Sequence, residues 1–297
     1  MEKRLYADIP SLVKRLDVVI KILINTQISS RYRSFFRGKG LEFEDYRVYT
    51  PNDDSKRIDW KASMRANEIM VKEFVEERNL NVYLVVDVSS KMIFGSTEKL
   101  KMEYAAEVAA AFSYLAIKSG DKAGMIMFND HIVDFIPPSS GDKHFYMMLN
   151  KVLNVKNYGG GFNLEKAVKF LMNTTTERGL LIIVSDFISF KKEWEKLIRI
   201  AAVRFDVIGM MIRDPRDETI PKGVGQVVLQ DPFSSDTLII DADAIRSDYE
   251  KYTRDEVATI RKYFINADAD FIYLTTSEPF IKPLIKFFIK RRERLSR

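Results

Sequence analysis

The stretch Asn81-Val-Tyr-Leu-Val-Val-Asp87-Val-Ser89-Ser-Lys91 decides the fold. Its first six residues are almost all apolar and rich in β-branched and aromatic side chains, which is typical of a strand buried on both faces of a parallel sheet. An aspartate follows where such a strand ends. Because open α/β sheets bind their ligands outside the carboxyl ends of the strands, Asp87 is the first candidate for a functional residue.

Downstream of this strand, helical and strand patterns alternate. Helices are predicted at 99–118, 143–154, 163–173 and 191–203, and strands at 123–128, 132–136, 180–184 and 206–212. A hairpin at 225–241, a long helix at 244–265, a strand at 271–274 and a final helix from 278 complete the chain. This alternation predicts an α/β fold with a doubly wound, mostly parallel sheet flanked by helices on both faces.

The predicted organisation has two parts. Residues 1–78 comprise an N-terminal amphipathic helix, at about 10–27, and an extension that packs on the core. Residues 79–297 form the α/β domain, with the hairpin and helices as C-terminal additions.

Composition limits the classes of function. The chain of 297 residues is 46% hydrophobic and 30% charged, as expected of a globular protein. It has no cysteine, which excludes disulfides and thiolate metal sites and fits a reducing compartment. We find no apolar run that approaches the ~20 residues needed to span a bilayer. We therefore expect a cytoplasmic protein.

The formal net charge of +5 is local, because residues 277–297 hold seven Lys or Arg against two Glu. This terminal helix and the basic segment 31–39 suggest an alternative function, in which the protein binds nucleic acid or an anionic membrane surface. The interpretation we favour is that the apolar face of the terminal helix packs on the domain and its arginines are solvated.

A second aspartate, Asp186, follows the predicted strand at 180–184, and a glycine loop, Gly160-Gly161-Phe162-Asn163, lies between the two aspartates in sequence. A strand that ends in Asp-x-Ser-x-Ser, a later Gly-Gly-Thr loop and another strand that ends in Asp resemble the metal-ion-dependent adhesion site of von Willebrand factor A domains. The resemblance implies that Asp87, Ser89 and Asp186 bind magnesium, which prefers hard oxygen ligands.

Two of the five ligand positions depart from that pattern. Lys91 stands where the second serine belongs, and Phe162 stands where threonine would be. We expect the Lys91 ammonium to lie near the metal position and to pair with Asp87 and Asp186, so that magnesium binds weakly or not at all. The simpler alternative is that Asp87 caps the loop before a helix and Asp186 is an ordinary carboxylate at the end of a strand.

The segment ahead of the first strand carries a second motif. Its residues are Glu42, Phe43, Arg47, Tyr49, Asp53, Asp54, Arg57, Asp59, Trp60, Ser63 and Arg65. This pattern resembles the domain-of-unknown-function family numbered fifty-eight, whose members carry it immediately before a von Willebrand A-like core. The resemblance implies a bacterial or archaeal protein that is encoded beside a MoxR-type AAA+ ATPase and acts with it in assembling or maturing other proteins.

The charges of this motif have two interpretations. One is a buried network of salt bridges that pins the extension to the core, with Trp60 as its apolar anchor. The other is an exposed acidic and aromatic surface that a partner's basic loop recognises.

An enzyme would have to use these carboxylates. A metal-dependent hydrolase that holds its metal with Asp53, Asp54 and Asp59, or with Asp87 and Asp186, is the alternative. The sequence has no phosphate-binding loop and no nucleophile elbow, and His131 and His144 lie outside any metal-binding spacing.

We therefore predict a scaffold or adaptor without enzymatic activity. Its partner would be a protein, a AAA+ ATPase. The face presented to that partner would consist of Asp87, Ser89, Lys91, Phe162 and Asp186.

Overall fold

A computed structural model describes residues 45–50, 58, 60–66, 68–73, 80–230 and 236–295. The predicted helix at 10–27, the basic segment 31–39 and the motif residues Glu42, Phe43, Asp53, Asp54, Arg57 and Asp59 lie outside these ranges. The predicted domain boundary at residue 78 also falls outside them and stays a prediction.

The N-terminal part contains a small antiparallel pair of strands, β1 (Asp45–Val48) and β2 (Met70–Glu73), with a short helix, α1 (Trp60–Ala66), between them in sequence. The Ser63 hydroxyl accepts a hydrogen bond of 2.8 Å from the backbone N–H of Met70, which ties α1 to β2. Trp60 is 65% exposed. The prediction that Trp60 is a buried apolar anchor is therefore wrong, and its exposure agrees with the alternative of an aromatic surface.

Within the described residues the main sheet has six strands. They are β3 (Asn81–Asp87), β4 (Lys122–Phe128), β5 (Ile132–Ser139), β6 (Gly179–Ser185), β7 (Phe205–Arg213) and β10 (Asp270–Thr275). Their order in the sheet is β10-β7-β6-β3-β4-β5, and all pairs are parallel except β4 with β5. The predicted hairpin consists of β8 (Gln226–Gln230) and β9 (Thr237–Asp241).

Among the described residues, six α-helices accompany this sheet. They are α2 (Lys101–Lys118), α3 (Asp142–Val152), α4 (Leu164–Thr174), α5 (Trp194–Arg204), α6 (Ala242–Asn266) and α7 (Ile281–Leu295). Helices α2, α3 and α7 contribute to the core on one face of the sheet, and α4, α5 and α6 to the core on the other. This is the doubly wound, mostly parallel α/β fold that the sequence predicted, and the prediction of fold class is confirmed.

The strand order contains a topological switch point. From β3 the sheet is built outward in both directions, through β4 on one side and β6 on the other, so the connections diverge at this point. Open α/β sheets commonly place their functional residues outside the carboxyl ends of the strands at such a point. Asp87 ends β3 and Asp186 follows β6, which places both aspartates at this switch point.

The terminal helix α7 packs as we expected but carries its charges differently. Leu284 and Phe288 are buried in the core, so part of the apolar face that a membrane would need is covered, whereas Phe287 is half-buried and Ile289 is exposed. Arg291, however, is 3% exposed and forms ion pairs with Asp206 and Asp270. The expectation that the terminal arginines are all solvated is therefore wrong for Arg291. Its ion pairs join α7 to the starts of β7 and β10.

No helix in the described part of the chain is long and apolar enough to cross a lipid bilayer.

Candidate functional site, a buried cluster of lysines and aspartates

The Asp186 carboxylate binds two ammonium groups at the switch point. Lys91 Nζ donates to Oδ1 over 3.0 Å, and Lys101 Nζ donates to Oδ2 over 2.8 Å. Lys101 also donates to Asp217 Oδ2, at 2.9 Å. The four side chains form a row of alternating charge, which we call the lysine–aspartate cluster: Lys91, Asp186, Lys101 and Asp217.

The cluster is buried and charged. Lys91, Lys101 and Asp186 expose at most 4% of their side chains. Burial alone raises the pKa of an aspartate, but the charges of Lys101 and Lys91 outweigh it and hold the pKa of Asp186 far below its ordinary value. Burial likewise lowers the pKa of Lys101, whereas Asp186 and Asp217 raise it to a net value above the ordinary one. Both members of the central pair are therefore ionised at neutral pH.

Asp87 takes a different position from the one we predicted. Its carboxylate accepts hydrogen bonds from the backbone N–H of Ser89, at 2.9 Å, and from the Ser185 hydroxyl, at 2.6 Å. Burial raises its pKa, and the neighbouring charge of Asp186 adds to that effect. Lys91 pairs with Asp186 as predicted, but the predicted ion pair with Asp87 is not formed. Asp87 caps the loop after β3, as the simpler alternative proposed for it.

Phe162 forms a wall of the cluster. Lys91 Nζ lies 3.6 Å from the centroid of its ring, within the range of a cation–π contact. The ring also packs against Phe128 and Trp194, with centroids 5.8 and 5.4 Å away. Gly160 turns the preceding loop with a φ of +75°, and its carbonyl accepts from the Ser90 N–H at 3.1 Å. The aromatic ring thus faces the lysine where a threonine would face a metal.

The loop after β6 is strained, and Lys91 holds it. Phe187 and Ser189 have φ values of +52° and +67°, in the left-handed region of backbone conformation that residues other than glycine rarely adopt. Each such residue costs about 1–3 kcal/mol and persists only where the surroundings impose it. Lys91 Nζ donates to the carbonyl oxygen of Ile188, between the two strained residues, over 2.5 Å. The ammonium thereby fixes the loop to the end of β6.

The donor set of this corner does not fit magnesium. Both carboxylate oxygens of Asp186 are bound to ammonium groups, and those of Asp87 accept from Ser89 and Ser185. The Ser89 hydroxyl is buried and has no hydrogen-bond partner, but one hydroxyl does not make an octahedral site. Among the described residues, no group of three or more His, Asp or Glu is arranged to hold a metal ion.

Sequence reasoning missed Lys101 and Asp217. Lys101 is the first residue of α2, and no local pattern sets it apart from other lysines at helix starts. Asp217 ends the short 3-10 helix Pro215–Asp217 that follows β7. Because β7 is a neighbour of β6 in the sheet, acidic residues after β7 are a signal for this edge, but the signal does not separate Asp217 from Asp214, which directly follows the strand.

The predicted contact face needs a correction, because most of it is inaccessible. Asp87, Ser89 and Asp186 have no exposed surface and Lys91 is 5% exposed, while Phe162 is half-buried. A partner at this face would contact the surrounding loops, such as the loop 187–189 that Lys91 holds, and not the buried side chains themselves.

The other predicted residues lie apart from these contacts. His131 is exposed and bonds to its neighbour Asp130, and His144 bonds to the carbonyl of Ala123. Of the second motif, Arg47 lies in β1 opposite Val71, the Tyr49 N–H donates to Ile69, and Arg65 is exposed.

Fold and site together define a von Willebrand A-like α/β domain in which Lys91 lies at the corner where the resemblance implies a metal ion. Residues 45–259 match the family described as Protein of unknown function DUF58, and the chain belongs to this family.

Several known proteins are similar to it. Uncharacterized protein Rv1480 of Mycobacterium tuberculosis is 27% identical over 283 residues, which cover 94% of this chain and 89% of that protein. Uncharacterized protein YeaD of Bacillus subtilis is 32% identical over 103 residues, 35% of this chain and 24% of its own.

Solved structures show more distant likenesses. The conserved hypothetical protein BatB from Bacteroides thetaiotaomicron is 14% identical with a TM-score of 0.47, and the match covers 73% of this chain and all of that one. The VWA domain of SpRpn10 is 10% identical with a TM-score of 0.34, over 46% of this chain and 77% of that one.

Proposed function

We propose that this chain is a cytoplasmic scaffold without enzymatic activity that docks a protein partner on the loops at the carboxyl edge of the sheet. The partner we propose is a MoxR-type AAA+ ATPase, with which the chain assembles or matures other proteins. The observation that carries the docking proposal is the Asp186 carboxylate, which is neutralised by Lys91 and Lys101.

The mode of docking follows from this pairing. A corner completed by magnesium has an open coordination position that an acidic group of a partner can fill. Here internal ammonium groups take the place of the cation, so a partner has no metal to bind. Recognition at this face must depend on shape, hydrogen bonds and surface charge.

The cluster contacts two loops that carry exposed residues. Lys91 fixes the loop 187–189, where Ser189 is exposed. Lys101 Nζ lies 5.6 Å from the ring centroid of Phe94, which is 38% exposed. The Phe94 loop is held further by Ser96, whose N–H and hydroxyl both donate to Asp214. Phe94, Ser189 and Lys191 are exposed residues on or near these loops, and pre-organised loops suit a docking face because little entropy is lost on binding.

The same burial argues against catalysis. Every charged group of the lysine–aspartate cluster is paired within the protein, and a substrate could not reach Asp87 or Asp186 without displacing a lysine or a loop. The choice of a AAA+ ATPase rests on the family resemblance of the segment 37–78.

The test is affinity purification of the tagged chain from its native cells, washed with magnesium or with EDTA, followed by mass spectrometry. We expect a AAA+ ATPase in both washes. The variant Phe94→Ala/Lys191→Glu should lose it, whereas Val203→Ser, an exposed change at the opposite end of α5, should keep it. Magnesium-dependent recovery that Asp186→Ala abolishes would show a working metal site and contradict the proposal. Absence of any ATPase would contradict the choice of partner.

A further inference from the structure

The two edges of the main sheet differ in how they are protected. At one edge, β5 contains Pro137 and Pro138, and its register with β4 shifts at two points. Proline and bulges are the usual means by which an edge strand is kept from pairing with another chain. This edge is therefore closed to strand addition.

The opposite edge, β10, has no such protection. Its central residues are Phe271-Ile-Tyr-Leu274, without proline or charge, and its register with β7 is regular from Asp270 to Thr275. Within the described residues β10 pairs on one side only. A regular, apolar edge with a free side is a template for another strand unless something covers it.

A groove lies along this edge. Its volume is about 680 Å³, and it is lined by β10, by the end of α6 and by one face of α7. The rings of Phe271, Tyr273 and Phe287 line it and are half-buried, so they leave apolar surface open to an occupant. Residues 270–275 of β10 would pair with about six residues of an extended chain, at a rise of about 3.3 Å each.

The rim of the groove is basic. Lys286, Lys290 and Arg294 follow one another along the lining face of α7, and all three are exposed. Arg294 pairs with Asp270, but neither Lys286 nor Lys290 forms an ion pair with a described residue. Asp268 is an exposed acidic residue of the lining, so the accessible charge is positive overall.

We propose that the free edge of β10 binds an extended acidic peptide segment of another protein as an added strand. Backbone hydrogen bonds to β10 would supply affinity, and alternate side chains would reach the two walls of the groove. Carboxylates of the segment would meet Lys286 and Lys290 on the α7 wall, and its apolar residues would meet Phe271 and Tyr273 on the opposite wall. A second copy of this chain is a poor occupant, because its own β10 would bring an equally basic rim against this one.

The test is fluorescence anisotropy of the full chain with a labelled peptide of about seven residues in which glutamate alternates with valine. We expect saturable binding that weakens as salt rises. A peptide with lysine in place of glutamate should bind at least about tenfold more weakly, a difference of about 1.4 kcal/mol. N-methylation of alternate backbone amides should abolish binding, because it removes donors that strand pairing needs.

Variants of the protein locate the site. Lys286→Glu/Lys290→Glu should lower the affinity at least about tenfold. The matched control is Lys262→Glu/Lys282→Glu, which makes the same charge change at exposed positions of α6 and α7 outside the groove lining and should leave binding nearly unchanged. Circular dichroism checks that both variants are folded.

Four outcomes would overturn the proposal. They are equal binding of the N-methylated peptide, equal loss of affinity in the control variant, tighter binding of single-stranded oligothymidine than of the peptide, and a dimer in light scattering that the Lys286→Glu/Lys290→Glu variant dissociates. The first would exclude strand pairing, the second would exclude this groove, and the others would assign it to a nucleic acid or to a second copy.

Discussion

The ammonium of Lys91 lies 3.0 Å from Oδ1 of Asp186, and both side chains are buried. A protein cation thus occupies the place at the end of β6 where the resemblance to von Willebrand A domains implies a metal ion. Removing water from two charges is costly, and the cost is repaid only where geometry is good and each charge has further partners. Asp186 has Lys101 as a second partner, and Lys91 has the carbonyl of Ile188.

Lys91→Met should destabilise the fold by about 3–5 kcal/mol, because it removes one partner of the buried Asp186 carboxylate and the donor to the carbonyl of Ile188. Urea unfolding followed by circular dichroism measures the change. Lys118→Met is the matched control, since Lys118 pairs with Asp142 at the surface and should contribute at most about 1 kcal/mol. Equal effects of the two substitutions would mean that the buried Lys91 ion pair stabilises the fold no more than the surface pair does.

Lys101 and Asp217 should be energetically coupled. In a double-mutant cycle of Lys101→Met and Asp217→Asn, the two effects on the free energy of unfolding should fail to add by about 1–3 kcal/mol. The surface pair of Arg199 and Glu195, four residues apart on α5, provides the comparison, with a coupling below about 0.5 kcal/mol. Additive effects within the cluster would mean that the 2.9 Å contact contributes little.

Phe162→Leu should cost stability partly through Lys91, whose ammonium lies over the ring. The coupling between Phe162→Leu and Lys91→Met in unfolding experiments should be about 0.5–2 kcal/mol. Phe135→Leu, which loses an aromatic contact with Phe170 but no contact with a cation, should show no coupling to Lys91→Met. A coupling of the same size in both cycles would rule out the cation–π contact as its source.

Arg291→Met should destabilise the protein by about 3–5 kcal/mol, because Asp206 and Asp270 would lose their shared buried cation. Lys282→Met, an exposed change on the same helix, should be nearly neutral. Thermal unfolding of the two variants makes the comparison. If Arg291→Met changed the free energy of unfolding as little as Lys282→Met does, the buried ion pairs of Arg291 would contribute little to stability, as expected of a solvated arginine.

The sequence predicted the parts of the site that follow from strand patterns. Asp87 and Asp186 could be placed at one edge because each follows a buried strand, and the carboxyl ends of parallel strands share an edge. The choice of Asp186 over Asp87 as the partner of Lys91 could not be predicted, because it depends on which carboxylate the Ser185 hydroxyl and the Ser89 N–H already satisfy.

Other features depended on contacts between distant segments. Lys101 and Asp186 are 85 residues apart in sequence, and only the packing of α2 against the sheet brings them together. Arg291 belongs to a helix whose basic residues look alike in sequence, and its burial follows from the position of two aspartates at the starts of β7 and β10.

The most direct test of the central claim is isothermal titration calorimetry of magnesium and manganese into the purified wild-type chain. If Lys91 and Lys101 take the place of the metal ion, neither cation should give a saturable heat at millimolar concentrations. Stoichiometric binding with micromolar affinity that Asp87→Ala abolishes would contradict the account and show that the corner still holds a metal.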